Sequence, residues 1–344
     1  MADTWRLHDL LSRGVRSPAV RVLTVMVALA AAALGYWLVA PNGVAYPKGV
    51  FGMATGSSGG VYEKYGQLLK PNVDRDLPGV ELRLDSSAGG PDNLARIAGG
   101  RDDFGIATAD AVAHYRGADA GELRAMGRLY DDYVQLVVPT GSSIRSVGDL
   151  RGKKVAIGQV NSGVALIAER IFQVAHLDPD RGDLTAEPLG IDEAPKELAQ
   201  GKIDAFFWSG GIPTSGVTDL TDTSHVRLVP LGNLATALDA LASEQDPEAR
   251  NSQIYRSSTM QASAYPRTDP DVAVSTIAVA NLMVTRADVP LGLVQRVTAA
   301  VIDSRDSIGR QVHSAQLVDI RSAIYTDPLP LAEGARRYYV SAKP

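Results

Sequence analysis

Residues 50–62 have the sequence VFGMATGSSGGVY. The first five residues form a short apolar segment, which is typical of a buried β-strand, and the turn after them is rich in Gly and Ser. A helical pattern of apolar residues then begins at about Val61. A strand that passes through a tight turn into a helix opens a unit in which a helix connects two parallel strands. This stretch therefore indicates an α/β fold.

The same alternation of short apolar segments and helical patterns continues toward the C-terminus. Further strands are predicted at residues 80–85, 104–107, 134–138, 154–157, 203–208, 226–231 and 275–284. Residues 239–269 are polar and predict an irregular surface segment, whereas turn-forming residues at 139–143 predict a hinge. We therefore expect residues 49–138 to form the first part of lobe 1, residues 139–270 to form lobe 2, and residues 271–344 to return to lobe 1 and end in a helix.

Composition excludes several classes of partner and chemistry. The chain has 344 residues, which suits about two domains, and its 34 Lys and Arg against 39 Asp and Glu give a net charge of -5. Without a basic excess, nucleic acid is not an expected partner. The absence of Cys excludes disulfides, thiol nucleophiles, zinc–thiolate sites and a lipid-modified N-terminal Cys.

The N-terminal residues predict a membrane anchor. Residues 22–40 are a run of 19 apolar residues without a charge, and Arg6, Arg13, Arg16 and Arg21 precede it. Such a run is long enough to cross a bilayer once, and positive flanking charge stays in the cytoplasm. We therefore expect residues 1–21 to be cytoplasmic, residues 22–40 to span the membrane, and the remainder to be extracytoplasmic. The alternative is a signal peptide cleaved after Ala45, which would release a secreted or periplasmic protein.

Four small polar loops follow predicted strands. They lie at residues 56–60, 86–90, 107–110 and 161–163, and the first and last of these come from different lobes. In open α/β sheets, ligands bind beyond the carboxyl ends of the strands, often at the N–H groups of helix N-termini. The loops therefore predict one binding cleft. Because no Arg lies in them, helix starts near Gly60 and Gly163 are expected to neutralise a bound anion.

A hydrolase is the enzymatic alternative, because residues 56–60 fit the pattern G-x-S-x-G with Ser58 as the nucleophile. Only one predicted soluble strand precedes this loop, and none of the candidate bases has a partner motif. Those bases are His114, His176, His225 and His313. The acidic pairs at 102–103, 131–132 and 192–193 are expected to be solvated, so neither a metal site nor a cofactor is predicted.

Taken in order, the loops resemble those of TRAP-transporter solute-binding proteins of the TAXI type. The resemblance rests on residues 54–62, 86–94, 104–110, 158–163 and 201–207, and residues 333–339 resemble the closing helix of that family. It implies a two-lobed periplasmic-binding-protein fold, a small organic acid or amino acid as ligand, and delivery to a TRAP-type permease. The ligand contacts that it implies are Ser57, Ser58, Gly59, Gly60, Tyr62, Asn93, Thr108, Asp110, Asn161, Ser162, Gly163, Trp208, Ser209 and Gly210.

The sequence departs from the family pattern in three loops and at the N-terminus. Glu63 and Lys64 replace the usual Tyr-Pro, Thr108 stands where Gln is common, and Val164 stands where Thr is common. A ligand that is typical of the family would lose hydrogen bonds here, so its identity is not carried over. The predicted anchor is also a departure, and it admits a second function as the ligand-binding ectodomain of a sensory system.

Overall fold

The computed structural model describes residues 22–31, 46–245 and 253–342. Residues 22–31 are helical and belong to a unit that is separate from the compact body beginning at Tyr46. Among the described residues, no helix combines the length and apolar character needed to cross a bilayer. Residues 1–21, residues 32–40 of the predicted membrane segment and the predicted cleavage site at Ala45 lie outside the described residues, so the anchor stays a prediction.

Strands and helices alternate along the compact body. The strands are β1 Gly49–Ala54, β2 Val80–Asp85, β3 Phe104–Thr108, β4 Leu123–Pro139, β5 Lys154–Ala156, β6 Thr185–Glu187, β7 Ala205–Gly210, β8 Val226–Leu228, β9 Tyr255–Met260 and β10 Val274–Arg286. The α-helices are α1 Val61–Asp76, α2 Gly90–Ala98, α3 Ala109–His114, α4 Gly163–Val174, α5 Ala194–Ala199, α6 Ser215–Thr223, α7 Ala235–Gln245, α8 Leu291–Asp303, α9 Arg305–Gly309 and α10 Glu333–Ser341. This succession confirms the α/β class.

The strands form one ten-stranded sheet. Its order is β2-β1-β3-β10-β4-β7-β5-β6, with β8 paired to β4 and β9 paired to β10. The pairs of β1 with β2 and β3, and of β5 with β6 and β7, are parallel, whereas β4 and β10 pair with all their neighbours in antiparallel fashion. Two parallel groups are thus joined through two long antiparallel strands.

The two halves of strand β4 contribute to different hydrophobic cores. Met126 and Tyr130, in its first half, pack in one core with α1 and α8. Val134 and Leu136, in its second half, pack in another core with α4. The core therefore changes between Tyr130 and Val134, before the predicted lobe boundary at residue 139, and the lobe boundaries themselves stay a prediction.

Helix α4 shows how local sequence determines one element of the second core. Its N-cap Ser162 accepts a hydrogen bond from the Ala165 N–H (3.1 Å), which partners one of the N–H groups left free in the first turn of a helix. The apolar residues Ile167, Ile171 and Phe172 follow at helical spacing and are buried. A capped start and one apolar face therefore fix the beginning of this helix and its packing against the sheet.

The prediction of an irregular surface segment at residues 239–269 is wrong. Helix α7 covers its beginning, and β9 pairs with β10 from Tyr255 to Met260. Tyr255, Met260 and Tyr265 are buried. The polar residues between Tyr255 and Met260 do not predict a strand from their composition. The strand forms because this segment pairs with β10.

Candidate ligand-binding site

Loops that follow strands of both parallel groups converge on one cavity of about 80 Å³, which they enclose in part. Its walls come from the β1–α1 loop, the β2–α2 loop, the end of β3, the start of α4 and the end of β7. The lining residues are Thr55, Gly56, Ser57, Gly60, Val61, Tyr62, Ala88, Gly89, Gly90, Thr108, Asp132, Ser162, Gly163, Val164, Trp208, Ser209 and Gly210. The volume admits several water-sized groups, as a small solute requires.

The β2–α2 loop and the start of α4 meet at the cavity wall. A Cβ atom placed on Gly89 would lie 3.7 Å from the Gly163 backbone nitrogen and 3.7 Å from the Ser162 Cα. Gly89 also has a φ of 126°, a left-handed conformation that side chains other than glycine rarely adopt. The two loops thus lie in contact over the cavity, and it is the backbone conformation at Gly89, not the space around it, that favours glycine.

A larger open cleft of about 1150 Å³ also borders the β1–α1 loop. Ser58, Gly59 and Glu63 line this cleft, and the Glu63 carboxylate accepts a hydrogen bond from the Gly59 N–H (2.7 Å). Gly60 and Trp208 line both the cleft and the enclosed cavity. The β1–α1 loop therefore contributes to two neighbouring surfaces.

The structure brings most of the predicted ligand contacts together. Nine of the predicted contacts line the enclosed cavity, namely Ser57, Gly60, Tyr62, Thr108, Ser162, Gly163, Trp208, Ser209 and Gly210. Ser58 and Gly59 line only the open cleft, and Asn93, Asp110 and Asn161 line neither space.

The three predicted residues that line neither space have other environments. Asn93 is buried and donates its side-chain N–H to the Ile106 carbonyl oxygen (2.7 Å), so it supports the wall behind the cavity. Asp110 is buried and accepts from the Ala111 N–H (2.8 Å). Asn161 is exposed, with a φ of 62°. Their proximity in sequence to lining residues does not place them at the cavity surface.

Sequence reasoning missed Asp132, which lines the enclosed cavity. The expectation that the pair at 131–132 is solvated is wrong for this residue, because its side chain is only 5% exposed. Successive side chains of a strand point to opposite faces of the sheet. Asp131 pairs with Arg128 (2.6 Å) and with Arg256, whereas Asp132 faces the cavity, and its Oδ1 has no hydrogen-bond partner among the described residues.

The surroundings of Asp132 raise the pKa of its carboxyl group above the value that it has in water. Burial raises the pKa of its carboxyl group to about 7, and the negative charges of Asp110 and Asp131 act in the same direction. The neighbouring Asn281 side chain opposes the rise. Burial, with Asp132 as the largest charge contribution, also raises the pKa of Tyr62 well above its usual value, so the phenol keeps its proton.

Asp102 is a second acidic residue that is buried against expectation. Its side chain is 2% exposed and lies behind β1, with Arg83 and Arg96 at 3.8 and 3.9 Å. Burial and the carboxylate of Asp85 raise its pKa to about 7, against the two Arg charges. Asp102 does not line the cavity.

Partial positive charge reaches the cavity from three helix N-termini. Helices α1 and α2 begin after Gly60 and Gly89, neither of which provides a side-chain cap, and α4 begins after Ser162. The N–H groups in the first turn of a helix lack acceptors within the helix and carry the positive end of its dipole. No Lys or Arg of the described chain lines the enclosed cavity. An anionic group in the cavity would therefore be bound by backbone N–H groups.

The geometry does not assemble a hydrolase around Ser58. No histidine whose side chain the structure describes lines either the cavity or the cleft. The Nδ1 atom of His114 lies 2.7 Å from the Asp110 carbonyl oxygen, away from both spaces. Within the described residues, no group of three acidic or histidine side chains is arranged to hold a metal ion.

Residues 53–341 match the model of the NMT1-like family. The chain belongs to this family. The match extends from β1 into α10, and it therefore includes every loop that lines the cavity of this NMT1-like protein. The N-terminal residues 1–52, with the predicted anchor, lie outside the match.

Solved structures similar to this NMT1-like protein include periplasmic binding proteins. The periplasmic binding protein BugD aligns with a TM-score of 0.51 and 12% identity, over 86% of this chain and 94% of BugD. The alkanesulfonate-binding protein SsuA from Xanthomonas axonopodis pv. citri, bound to MOPS, aligns with a TM-score of 0.46 and 18% identity over 87% and 86% of the two chains. The periplasmic aliphatic sulphonate binding protein SsuA from Escherichia coli gives 0.43 and 16% over 87% and 84%. The likeness to BugD confirms the periplasmic-binding-protein fold.

Proposed function

We propose that this NMT1-like protein is an extracytoplasmic solute-binding subunit that captures a small carboxylate-bearing solute, either an organic acid or an amino acid, for a TRAP-type permease. The observation that carries the proposal is the enclosed cavity, to which small polar loops of both parallel groups contribute. Glycines and a capping serine bring backbone N–H groups to its surface, as an anion requires.

The proposed ligand contacts are the nine predicted residues that line the cavity, with Asp132 added to them. The carboxylate of the solute lies against the first turns of α1, α2 and α4, which supply N–H donors from both parallel groups. Trp208 supplies an apolar surface and keeps its indole N–H bonded to the Thr214 hydroxyl (2.9 Å). The solute is thus held mainly by backbone groups, which do not need a charged side chain.

Binding without turnover is the activity that the site supports. Ser58 lies in the open cleft, where its side chain has no described histidine beside it to accept a proton. Three features support delivery to a permease from a membrane-anchored position. They are the resemblance of the loops to those of the TAXI type, the fold, and the apolar residues 22–40 with their preceding Arg residues.

Thermal unfolding of the full-length protein tests the proposal. A library of carboxylates and amino acids is added, and one compound or a narrow class is expected to raise the melting temperature, because a ligand that binds only the folded state stabilises it. Titration calorimetry then gives its affinity, and solute uptake into vesicles that hold a TRAP permease tests delivery. Hydrolysis of ester substrates by the wild type, lost in Ser58→Ala, would instead show a hydrolase.

A further inference from the structure

We infer, on the basis of the proposed function, that the solute carries a protonated amine beside its carboxylate, and that Asp132 is the counter-charge for this amine. The inference narrows the ligand class from organic acids in general to amino acids and related zwitterions. It rests on an unpaired carboxyl group in the wall of the enclosed cavity.

Two buried polar atoms of the cavity wall, Asp132 Oδ1 and Thr108 Oγ1, lack a hydrogen bond of ordinary geometry within the described chain. Their nearest polar neighbours are the Asn281 side chain for Asp132 and the Asp110 carboxyl group for Thr108. Asp132 and Thr108 are each 5% exposed and both line the cavity. Buried polar groups without partners cost free energy, so such groups at a cavity wall indicate a ligand that completes their hydrogen bonds. A carboxylate and a hydroxyl both accept bonds from an ammonium group.

The charges in the cavity fit a zwitterion better than a simple anion. Asp132 is the one acidic side chain in the lining of the enclosed cavity, and no basic side chain of the described residues balances it there. A simple carboxylate would place a second negative charge beside the buried carboxyl group of Asp132. A zwitterion satisfies both groups of the protein, because its carboxylate binds the N–H groups at the helix N-termini and its amine binds Asp132.

The inference also has a pH dependence that can be worked out from the groups that interact with Asp132. Asp110 on α3, Tyr130 on β4, Tyr62 on α1 and the neutral Asn281 on β10 surround it, and the charge of Asp131 acts on it from the other face of the sheet. Because burial raises the pKa of Asp132 to about 7, part of the ligand-free protein is protonated at this position near neutral pH. An ammonium group binds the ionised form. Its affinity is therefore expected to increase from pH 6 to pH 8, a range in which free amino acids keep their amine protonated.

Paired ligands test the inference by titration calorimetry with the full-length protein. The probes are L-alanine with propionate, L-leucine with 4-methylpentanoate and L-glutamate with glutarate, so that each pair differs in the amine. At least one amino acid is expected to bind tenfold or more tightly than its partner. Asp132→Asn is expected to lower that affinity at least tenfold and to remove both the preference and the pH dependence. Asp131→Asn, next to it but ion-paired on the other face, is the matched control and should keep the preference.

The outcomes distinguish this inference from the proposed function. If the acids without an amine bind the wild type more tightly, and their affinity decreases from pH 6 to pH 8, then protonated Asp132 donates to an anion. The inference fails in that case, but solute capture stands. If no probe and no other carboxylate binds, both fail. Should Asp132→Asn not fold, the preference within each pair and the pH profile of the wild type still decide the question.

Discussion

The Tyr62 hydroxyl donates a hydrogen bond to Asn281 Oδ1 over 2.5 Å, which joins the first turn of α1 to the middle of β10. Asn281 is fully buried, and its side chain also interacts with the carboxyl group of Asp132. The bond therefore connects a lining residue of the cavity to one of the two strands that join the parallel groups.

Tyr62→Phe tests that connection. The substitution leaves Asn281 Oδ1 buried without this donor, so the free energy of unfolding is expected to decrease by about 1–3 kcal/mol. Affinity for the solute is expected to decrease as well, because Tyr62 lines the cavity. Urea denaturation measures the first effect and calorimetry the second. Tyr325→Phe is the matched control, because Tyr325 is 65% exposed, and a change above about 0.5 kcal/mol there would contradict the argument.

Ser57→Ala and Ser58→Ala separate the enclosed cavity from the open cleft. Ser57 lines the cavity, so its loss is expected to reduce solute affinity by one hydrogen bond, about 0.5–1.5 kcal/mol. Ser58 lines only the cleft, and its substitution is expected to change affinity less. Both variants should keep the melting temperature of the wild type. A larger loss of affinity for Ser58→Ala would place the solute in the cleft instead.

Asp102→Asn tests a pH effect on stability. The folded pKa of Asp102, about 7, lies above the ordinary value of 3.8, so the folded state binds the proton more tightly than the unfolded state does. Its contribution to stability is therefore present at low pH and lost as the pH rises toward 7. Relative to wild type, Asp102→Asn is expected to gain in unfolding free energy between pH 5 and pH 8, as measured by urea denaturation. A difference that is constant with pH would show that the pKa is not raised.

Gly52→Ala tests the packing around the same carboxyl group. A Cβ atom on Gly52 would lie 2.5 Å from Asp102 Oδ1 and 2.9 Å from an Arg83 nitrogen, so these groups must shift. We expect a loss of about 1–3 kcal/mol in unfolding free energy. Gly141→Ala is the control, because nothing lies within 4 Å of the added atom. Equal effects of the two substitutions would show that crowding at Gly52 is not the cause.

The local sequence predicts the elements on which most of the site is built. The turn at 56–60 and the N-cap Ser162 each follow a strand and begin a helix, and this order alone places Gly60, Ser162 and Gly163 at the carboxyl edge of the sheet. These three contacts line the cavity for this reason, whereas Trp208, Ser209 and Gly210 lie in β7 and are implied only by the resemblance to the TAXI type.

The missed features depend on contacts that are distant in sequence. Asp132 looks solvated because it follows another Asp, and its burial results from pairing of β4 with β10 and from the approach of α1. Strand β9 is buried by the same partner. A propensity argument considers neighbours along the chain, whereas burial in a sheet is determined by the adjacent strands.

The shared strands also limit how the protein can be divided. Strand β4 pairs with β10 from Leu123 to Tyr133, and β10 comes from the far end of the chain. A fragment that stops at residue 138 would therefore present β4 with an unpaired edge, and unpaired edges favour aggregation. We do not expect either half to be a soluble module, and split reporters or domain exchanges would have to keep β4 and β10 in the same molecule.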